Sequence, residues 1–138
     1  MTWFYCNKEF DVETIEAEAI GFVYLITNLT NGKKYIGKKK FRKSIKLRAT
    51  KKRKAKRVQK TSDWTSYFGS SADLLHDVET LGERHFRRDI LHLCRSLGEL
   101  SYMEIKEQID HRVLYRDDFY NSYIGCRIHR KHLKKKFT

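Results

Sequence analysis

Apolar side chains run almost unbroken through Phe22, Val23, Tyr24, Leu25 and Ile26. β-Branched and aromatic residues in a short run bounded by turn formers predict a strand over 21–28. Asn31-Gly32 follows, a strong short hairpin signal, so 33–38 is predicted to return as a second strand. With a two-residue Asn-Gly loop, residue i faces residue 63 − i, which sets Tyr24 opposite Lys39 and Asn28 opposite Tyr35. Side chains alternate across a strand. Tyr24 and Tyr35 then share one face near opposite ends of the hairpin, and Val23, Leu25 and Ile36 turn to the other face and the core.

Farther on the spacing lengthens to the helical period. Ser70 or Ser71 caps a helix from Ala72, with Leu74, Leu75, Val78 and Leu81 as its buried stripe and Gly82 as its stop. Residues 86–94 read as a third strand. Ser96 with Glu99 fits a capping box for a helix running to about Leu114, with Tyr102, Ile105, Ile109 and Val113 on its apolar face. Asp117-Asp118 breaks it, and 119–128 is a short strand or extended segment before a basic tail. Over residues 1–20 two readings stay open: a short helix capped by Asp11 and running through Ala19, or an extended lead-in. The element order predicts a single α+β domain over 1–138: a small, mostly antiparallel sheet of about three strands, flanked by helices.

Charge changes this picture in one place. The chain carries 30 basic and 17 acidic residues, net +13. Residues 38–60 hold 14 lysines and arginines and no acidic residue, so the rest of the chain is nearly neutral. Basicity is therefore a segment and not a general surface property. Self-repulsion within it argues against a stable helix without a partner, leaving a helix or a mobile loop as its form. A polyanion is the expected partner: nucleic acid first, a membrane surface second. No apolar run approaches the roughly 20 residues of a membrane span, and the N-terminus lacks a signal-peptide layout. The expectation is a soluble intracellular protein. Three cysteines, Cys6, Cys94 and Cys126, show no framework spacing and read as free thiols.

The segments Phe22-Val23-Tyr24-Leu25-Ile26-Thr27-Asn28 and Asn31-Gly32-Lys33-Lys34-Tyr35-Ile36-Gly37-Lys38 resemble the hairpin of the GIY-YIG nucleases. The resemblance continues through Tyr67-Phe68-Gly69-Ser70-Ser71, a helix, the 86–91 strand, a glutamate-bearing helix and Tyr120-Asn121, covering about residues 21–125 in order. The second half, Tyr35-Ile36-Gly37-Lys38, matches well. In the first half Phe22 stands for the glycine and Val23 for the isoleucine, with Gly21 displaced by one. The resemblance implies metal-assisted hydrolysis of DNA phosphodiesters with one divalent cation, Mg²⁺ or Mn²⁺, whose hard character suits carboxylate and water oxygens. It resembles small single-module enzymes of the kind bacteriophages encode, freestanding or homing.

Carried over residue by residue, the resemblance gives Tyr24 as the base or water-orienting group and Tyr35 as its partner. Lys38 is the basic residue after the second motif half, although strict alternation turns it away from the tyrosines. Glu104 is the metal ligand, with Glu107 as competitor one turn later. Asn121 is the late supporting asparagine. The family's phosphate-steadying arginine is expected near residue 45, bracketed by Arg42 and Arg48. In the basic segment Lys39, Lys40, Lys43, Lys46, Lys51, Lys52, Arg53, Lys54, Lys56 and Arg57 are expected to hold DNA through its phosphates. Each of these residues also has an ordinary structural reading, as a strand tyrosine, a solvated helix glutamate or a turn asparagine. A non-catalytic nucleic-acid binder on a degenerate nuclease fold is the alternative. Tyr123-Ile124-Gly125 repeats the second motif half without a preceding turn and reads as coincidence or core. Cys126, His129 and His132 have ligand-like spacing but lack a fourth ligand. His111 lies on the Glu104 side of its helix by spacing.

Overall fold

A computed structural model describes residues 2–10, 19–125 and 130. Seven strands appear in chain order: β1 (Trp3–Tyr5), β2 (Lys8–Phe10), β3 (Gly21–Asn28), β4 (Lys34–Lys40), β5 (Arg42–Leu47), β6 (Lys56–Thr61) and β7 (Phe86–Cys94). Helices α1 (Ala72–Leu81) and α2 (Leu97–Asp110) accompany them. The fold is α+β, but the main sheet has five strands in the order β2-β1-β7-β3-β4, larger than the three expected. The two extra strands come from residues 3–10, too short to show a period. β1 lies parallel to β7, and β3 is antiparallel to both its neighbours. Of the two readings left open over 1–20, the helix from Asp11 through Ala19 falls almost wholly outside the described residues, whereas the described part, 2–10, is extended as β1 and β2; Cys126, His129 and His132 also lie outside the described residues. No helix among the described residues is long and apolar enough to cross a membrane.

β3 is the central strand, and both of its faces are covered. That explains its unbroken apolar run, since alternation is lost when neither face meets water. One face carries Phe22, Tyr24 and Ile26 into a core with Trp3, Phe41, Trp64, Phe68, Leu74 and Ile90. The other carries Val23, which with Ile36, Cys94, Leu100, Val113 and Phe119 forms a second core under α2. Phe22, where the resemblance expects a glycine, fills the first core: its ring centroid lies 4.9 Å from Trp3 and 5.1 Å from Phe41.

The β3–β4 pairing follows residue i opposite 61 − i, so that Tyr24 faces Gly37 and Ile26 faces Tyr35. The connection is a four-residue loop, 29–32, closed by Asn28 N–H donating to Lys33 C=O at 2.7 Å, with Gly32 at φ +76°. Asn28 selects this loop over the two-residue turn. It is fully buried, and its side chain accepts from the Thr30 N–H and hydroxyl and donates to the Tyr120 hydroxyl. The register shift of two residues leaves each side chain on its expected face.

Two predicted stripes differ from the buried ones. In α1 Leu74 and Val78 are buried, whereas Leu75 and Leu81 are exposed. Ser71 is its cap, accepting from Leu74 N–H. α2 ends at Asp110, not near Leu114, in a turn with Arg112 at φ +53°. Tyr102 and Ile109 of α2 point outward, and Leu100 and Gln108 are its buried residues. The inward face of this helix carries polar Glu104 and Gln108, so the predicted stripe holds only in part: Val113, just past the helix, is buried in the second core, whereas Tyr102 and Ile109 are not.

The basic segment is neither helix nor loop. β5 and β6 pair antiparallel from Arg42↔Thr61 to Leu47↔Lys56 as a separate two-stranded ribbon. Its root is clamped: Phe41 is buried against Trp64 at 5.1 Å, Ser62 N–H donates to Phe41 C=O, and Lys39 Nζ meets Asp63 Oδ1 at 2.6 Å.

Candidate active site at the edge of the sheet

β4 is an edge strand, and a cleft wraps around it. A cavity of about 460 Å³ is lined by Tyr24, Tyr35 and Lys38, by Ser70 to Asp73 at the start of α1, by Glu104 and Gln108 of α2, and by Tyr120 to Tyr123. Tyr24 and Tyr35 stand on one face of the hairpin, with ring centroids 6.1 Å apart. They are diagonal neighbours, closer than the two-residue turn would place them. Lys38 stands on the opposite face, as alternation requires, and reaches over the α2 side. Its ammonium donates to Ser101 Oγ at 2.9 Å and lies 3.8 Å from Glu104 Oε1. Wrapping around an edge removes the conflict between Lys38 and the tyrosines, because both faces of β4 open into one cleft.

Gly37 permits this arrangement. A Cβ built on it would lie 2.4 Å from the Tyr24 hydroxyl oxygen and 2.9 Å from Tyr35 Cε1. The Tyr24 ring therefore crosses directly over the glycine of the facing strand. On the other side of β3, the pairing with β7 shifts register between Val23 and Tyr24, leaving Leu91 as an extra residue. Such a bulge re-aims the strand beside a site.

Tyr24 is only 1% exposed. Burial pushes its phenol well above the ordinary value of 10, and Tyr67 and Tyr35 push it the same way. Tyr35 is raised mainly by burial, against the hydrogen bond of its hydroxyl with Ser70 Oγ at 3.0 Å. Both phenols thus hold their protons at neutral pH. The Glu104 carboxylate is recessed, with its side chain 14% exposed. Burial raises its pKa above 4.5, and the neighbouring Lys38 pulls it back down.

Glu107 occupies different surroundings. Its carboxylate meets His92 Nε2 at 2.6 Å and His111 Nδ1 at 3.4 Å, and it does not line the cleft. His111 accordingly turns to Glu107 and Phe119 and not to Glu104.

Asn121 acts on the backbone of β4. Its Oδ1 accepts from Ile36 N–H at 3.0 Å, and its Nδ2 donates to Ile36 C=O at 2.8 Å, so the amide stands in for a neighbouring strand. Gln108 Nε2 donates to the same carbonyl at 3.1 Å. Before it, Lys34 N–H donates to Asp118 C=O, and Tyr120 N–H donates to Lys34 C=O.

The two candidate arginines stand elsewhere. Arg42 and Arg48 are exposed on β5 and just beyond it, and neither lines the cleft. The lysine-rich segment forms a ribbon that holds them outside the cleft, and among the described residues Lys38 is the basic side chain in the cleft lining. Lys40, Lys43, Lys46, Lys51, Lys52, Lys54, Lys56 and Arg57 are exposed on or beside the ribbon. Arg53 donates to Arg48 C=O at its tip, and Lys39 sits over the Tyr67 ring at 4.0 Å.

Several cleft features escaped the sequence reading. Tyr67 touches Tyr24, ring to ring at 5.9 Å. Asp73 and Tyr123 line the cleft, the latter 76% exposed. Arg88 on β7 is 1% exposed, packed 4.5 Å from both the Trp3 and Phe68 rings, and donates to Thr65 C=O at 3.1 Å and Tyr67 C=O at 2.9 Å. It holds the loop that presents Tyr67. Only its place at the inward position between Phe86 and Ile90 on the 86–94 strand signalled it.

Residues 3–124 match the family model described as "Putative endonuclease segE, GIY-YIG domain". The match spans most of the chain, and the protein belongs to this GIY-YIG nuclease family. No curated protein and no solved structure matches it at a comparable level.

Proposed function

We propose that the protein is a divalent-metal-dependent endonuclease that hydrolyses DNA phosphodiesters in the cleft around β4. The observation that carries this reading is the recessed Glu104 carboxylate, opposite two tyrosine hydroxyls and beside a lysine, in a cleft of the nuclease fold. No group of three or more His, Cys, Asp or Glu side chains that could hold a metal ion is found among the described residues. A site with one recessed carboxylate suits Mg²⁺ or Mn²⁺, since such ions keep several waters and take one or two carboxylates plus substrate phosphate oxygens. Glu104 would hold the ion, and its chemistry there is that of a Lewis acid that polarises the phosphate and acidifies water.

The chain's own groups supply the rest. Tyr24 and Tyr35 keep their protons and orient water and phosphate oxygens by donating hydrogen bonds. Lys38, once Glu104 is otherwise engaged, turns its ammonium to the phosphate and offsets charge as it develops. Gln108 and Asn121 fix the β4 backbone beneath these groups. The ribbon grips neighbouring phosphates.

The test is plasmid cleavage with Mg²⁺ or Mn²⁺. Glu104→Gln should abolish cutting and keep DNA binding, whereas Glu107→Gln should cut. A dead Glu107→Gln alongside an active Glu104→Gln would move the ligand to Glu107. That no arginine lines the cleft among the described residues favours a second reading, a binder that has lost catalysis. No cleavage at excess protein with either metal would establish it.

A further inference from the structure

The ribbon has features that simple phosphate grip does not require. Opposite residues in an antiparallel pair share a face, so one face presents Arg42, Ser44, Lys46, Arg57, Gln59 and Thr61, all exposed. The other presents Lys43, Lys56 and Lys60 around half-buried Ile45, Leu47 and Val58. Cations stand along both edges, Arg42, Lys43 and Lys46 on β5 and Lys56, Arg57 and Lys60 on β6, and residues 38–61 contain no acidic residue. A ribbon lying on one phosphate strand needs cations along one edge only. A ribbon lying between two walls of phosphate needs them along both, with neutral hydrogen-bonding groups at its centre. Ser44 paired with Gln59 is that centre.

We propose that the β5–β6 ribbon enters the major groove of duplex DNA, with the Ser44–Gln59 face toward the base edges and the lysines and arginines toward the phosphates on either side. The proposal rests on the DNA-cleaving reading above. A B-form major groove is about 12 Å wide and admits a two-stranded β-ribbon. Isolated two-stranded ribbons are marginal in water, and this one is also self-repelling, so a polyanion sheath stabilises it. The clamp at Phe41, Ser62 and Asp63 ties the ribbon to the strand that carries Tyr35 and Lys38. At about 3.3 Å per residue, Leu47 lies at most about 30 Å along the chain from Lys38, less than one turn of DNA. Groove contacts therefore fall within about one helical turn of the cut.

The test uses the full chain as Glu104→Gln, bound to duplex DNA without divalent metal. Hydroxyl-radical footprinting reads backbone contact, and dimethyl sulfate reads guanine N7 in the major groove. The expected result is N7 protection inside the backbone footprint, within about one turn of the position where the unsubstituted protein cuts. Ser44→Ala with Gln59→Ala keeps every charge. It should leave the salt slope of binding unchanged and flatten the preference among cutting positions about tenfold. Lys46→Gln with Arg57→Gln should lower the salt slope by about 1 to 2. A backbone footprint without N7 protection, or an unchanged cutting pattern in the Ser44/Gln59 variant, overturns groove entry and leaves the nuclease reading standing. Equal competition by double-stranded RNA also overturns it, because the deep, narrow A-form groove excludes a ribbon. No footprint of either kind would instead sink the DNA-cleaving reading.

Discussion

Replacing Gly37 with alanine tests the geometry of the cleft most directly. The added Cβ would stand 2.4 Å from the Tyr24 hydroxyl oxygen, 2.7 Å from its Cζ and 2.9 Å from Tyr35 Cε1. Carbon makes comfortable contact at about 3.5–4.0 Å, so the Tyr24 ring must retreat by roughly 1 Å. It has nowhere to go: Trp3, Phe22 and Tyr67 have ring centroids 5.5, 6.1 and 5.9 Å away. Overpacking of this kind costs about 1–3 kcal/mol. For a domain of this size that is a fall in Tm of about 3–10 °C. A reactive group misplaced by about 1 Å loses on the order of a hundredfold in rate. The assays are thermal unfolding and plasmid cleavage of Gly37→Ala, Tyr24→Phe and the double variant. Removing the hydroxyl removes the shortest contact, so the double variant should be more stable than the sum of the single losses, while cleavage stays low. A Gly37→Ala protein with unchanged Tm, or strict additivity in the double variant, would refute the placement of the Tyr24 ring over Gly37. The stability arm holds whatever the protein cuts.

Asn121→Ala leaves the buried Ile36 N–H without its acceptor and should cost about 1–3 kcal/mol by chemical denaturation. Asn121→Asp at pH 8 should be worse, because its carboxylate faces the Ile36 carbonyl, and it should recover as the pH falls and the group protonates. Glu104 titrates above its ordinary value because of burial, and Lys38 lowers it. Lys38→Gln should therefore move the acid limb of the cleavage pH profile upward; a downward shift would contradict the pairing. A carboxyl with a folded pKa above its unfolded one opposes folding once ionised, so Glu104→Gln should match or exceed the parent Tm at pH 8. Arg88→Met should lose about 3 kcal/mol, since bonds from a charged donor are worth about 1.5–3 kcal/mol each and two are broken, and Tyr67 fluorescence or cleavage should change with it.

The hairpin and the α-helical caps were legible because their signals are local. Asn-Gly, the alternation and Ser71 and Ser96 all act within a few residues. The register was missed by two because a long-range fact, the burial of Asn28 against Tyr120, chooses the loop. The tyrosines kept their shared face because two is the period of a strand. The α2 stripe was misread for a different reason: a helix that serves a site turns polar groups inward, and periodicity counts them as surface. Tyr67 and Arg88 lie outside the motif halves, and only tertiary packing brings Tyr67 against Tyr24 and Arg88 beneath the loop that carries Tyr67. The ribbon was unreadable because fourteen like charges argue against any order in isolation.

The outward groups of β4 are met one at a time. Lys34 takes Asp118 and Tyr120, Ile36 takes Asn121 and Gln108, and the Lys40 carbonyl accepts from Ser62 Oγ at 2.6 Å. An exposed sheet edge ordinarily invites another strand, from a second copy or a misfolded neighbour, and lysines are a common deterrent. Here Lys38, Lys39 and Lys40 guard the stretch that single groups do not plug. Strand addition is thus blocked on the side that bears the cleft, so a crowded solution cannot cap this edge by aggregation.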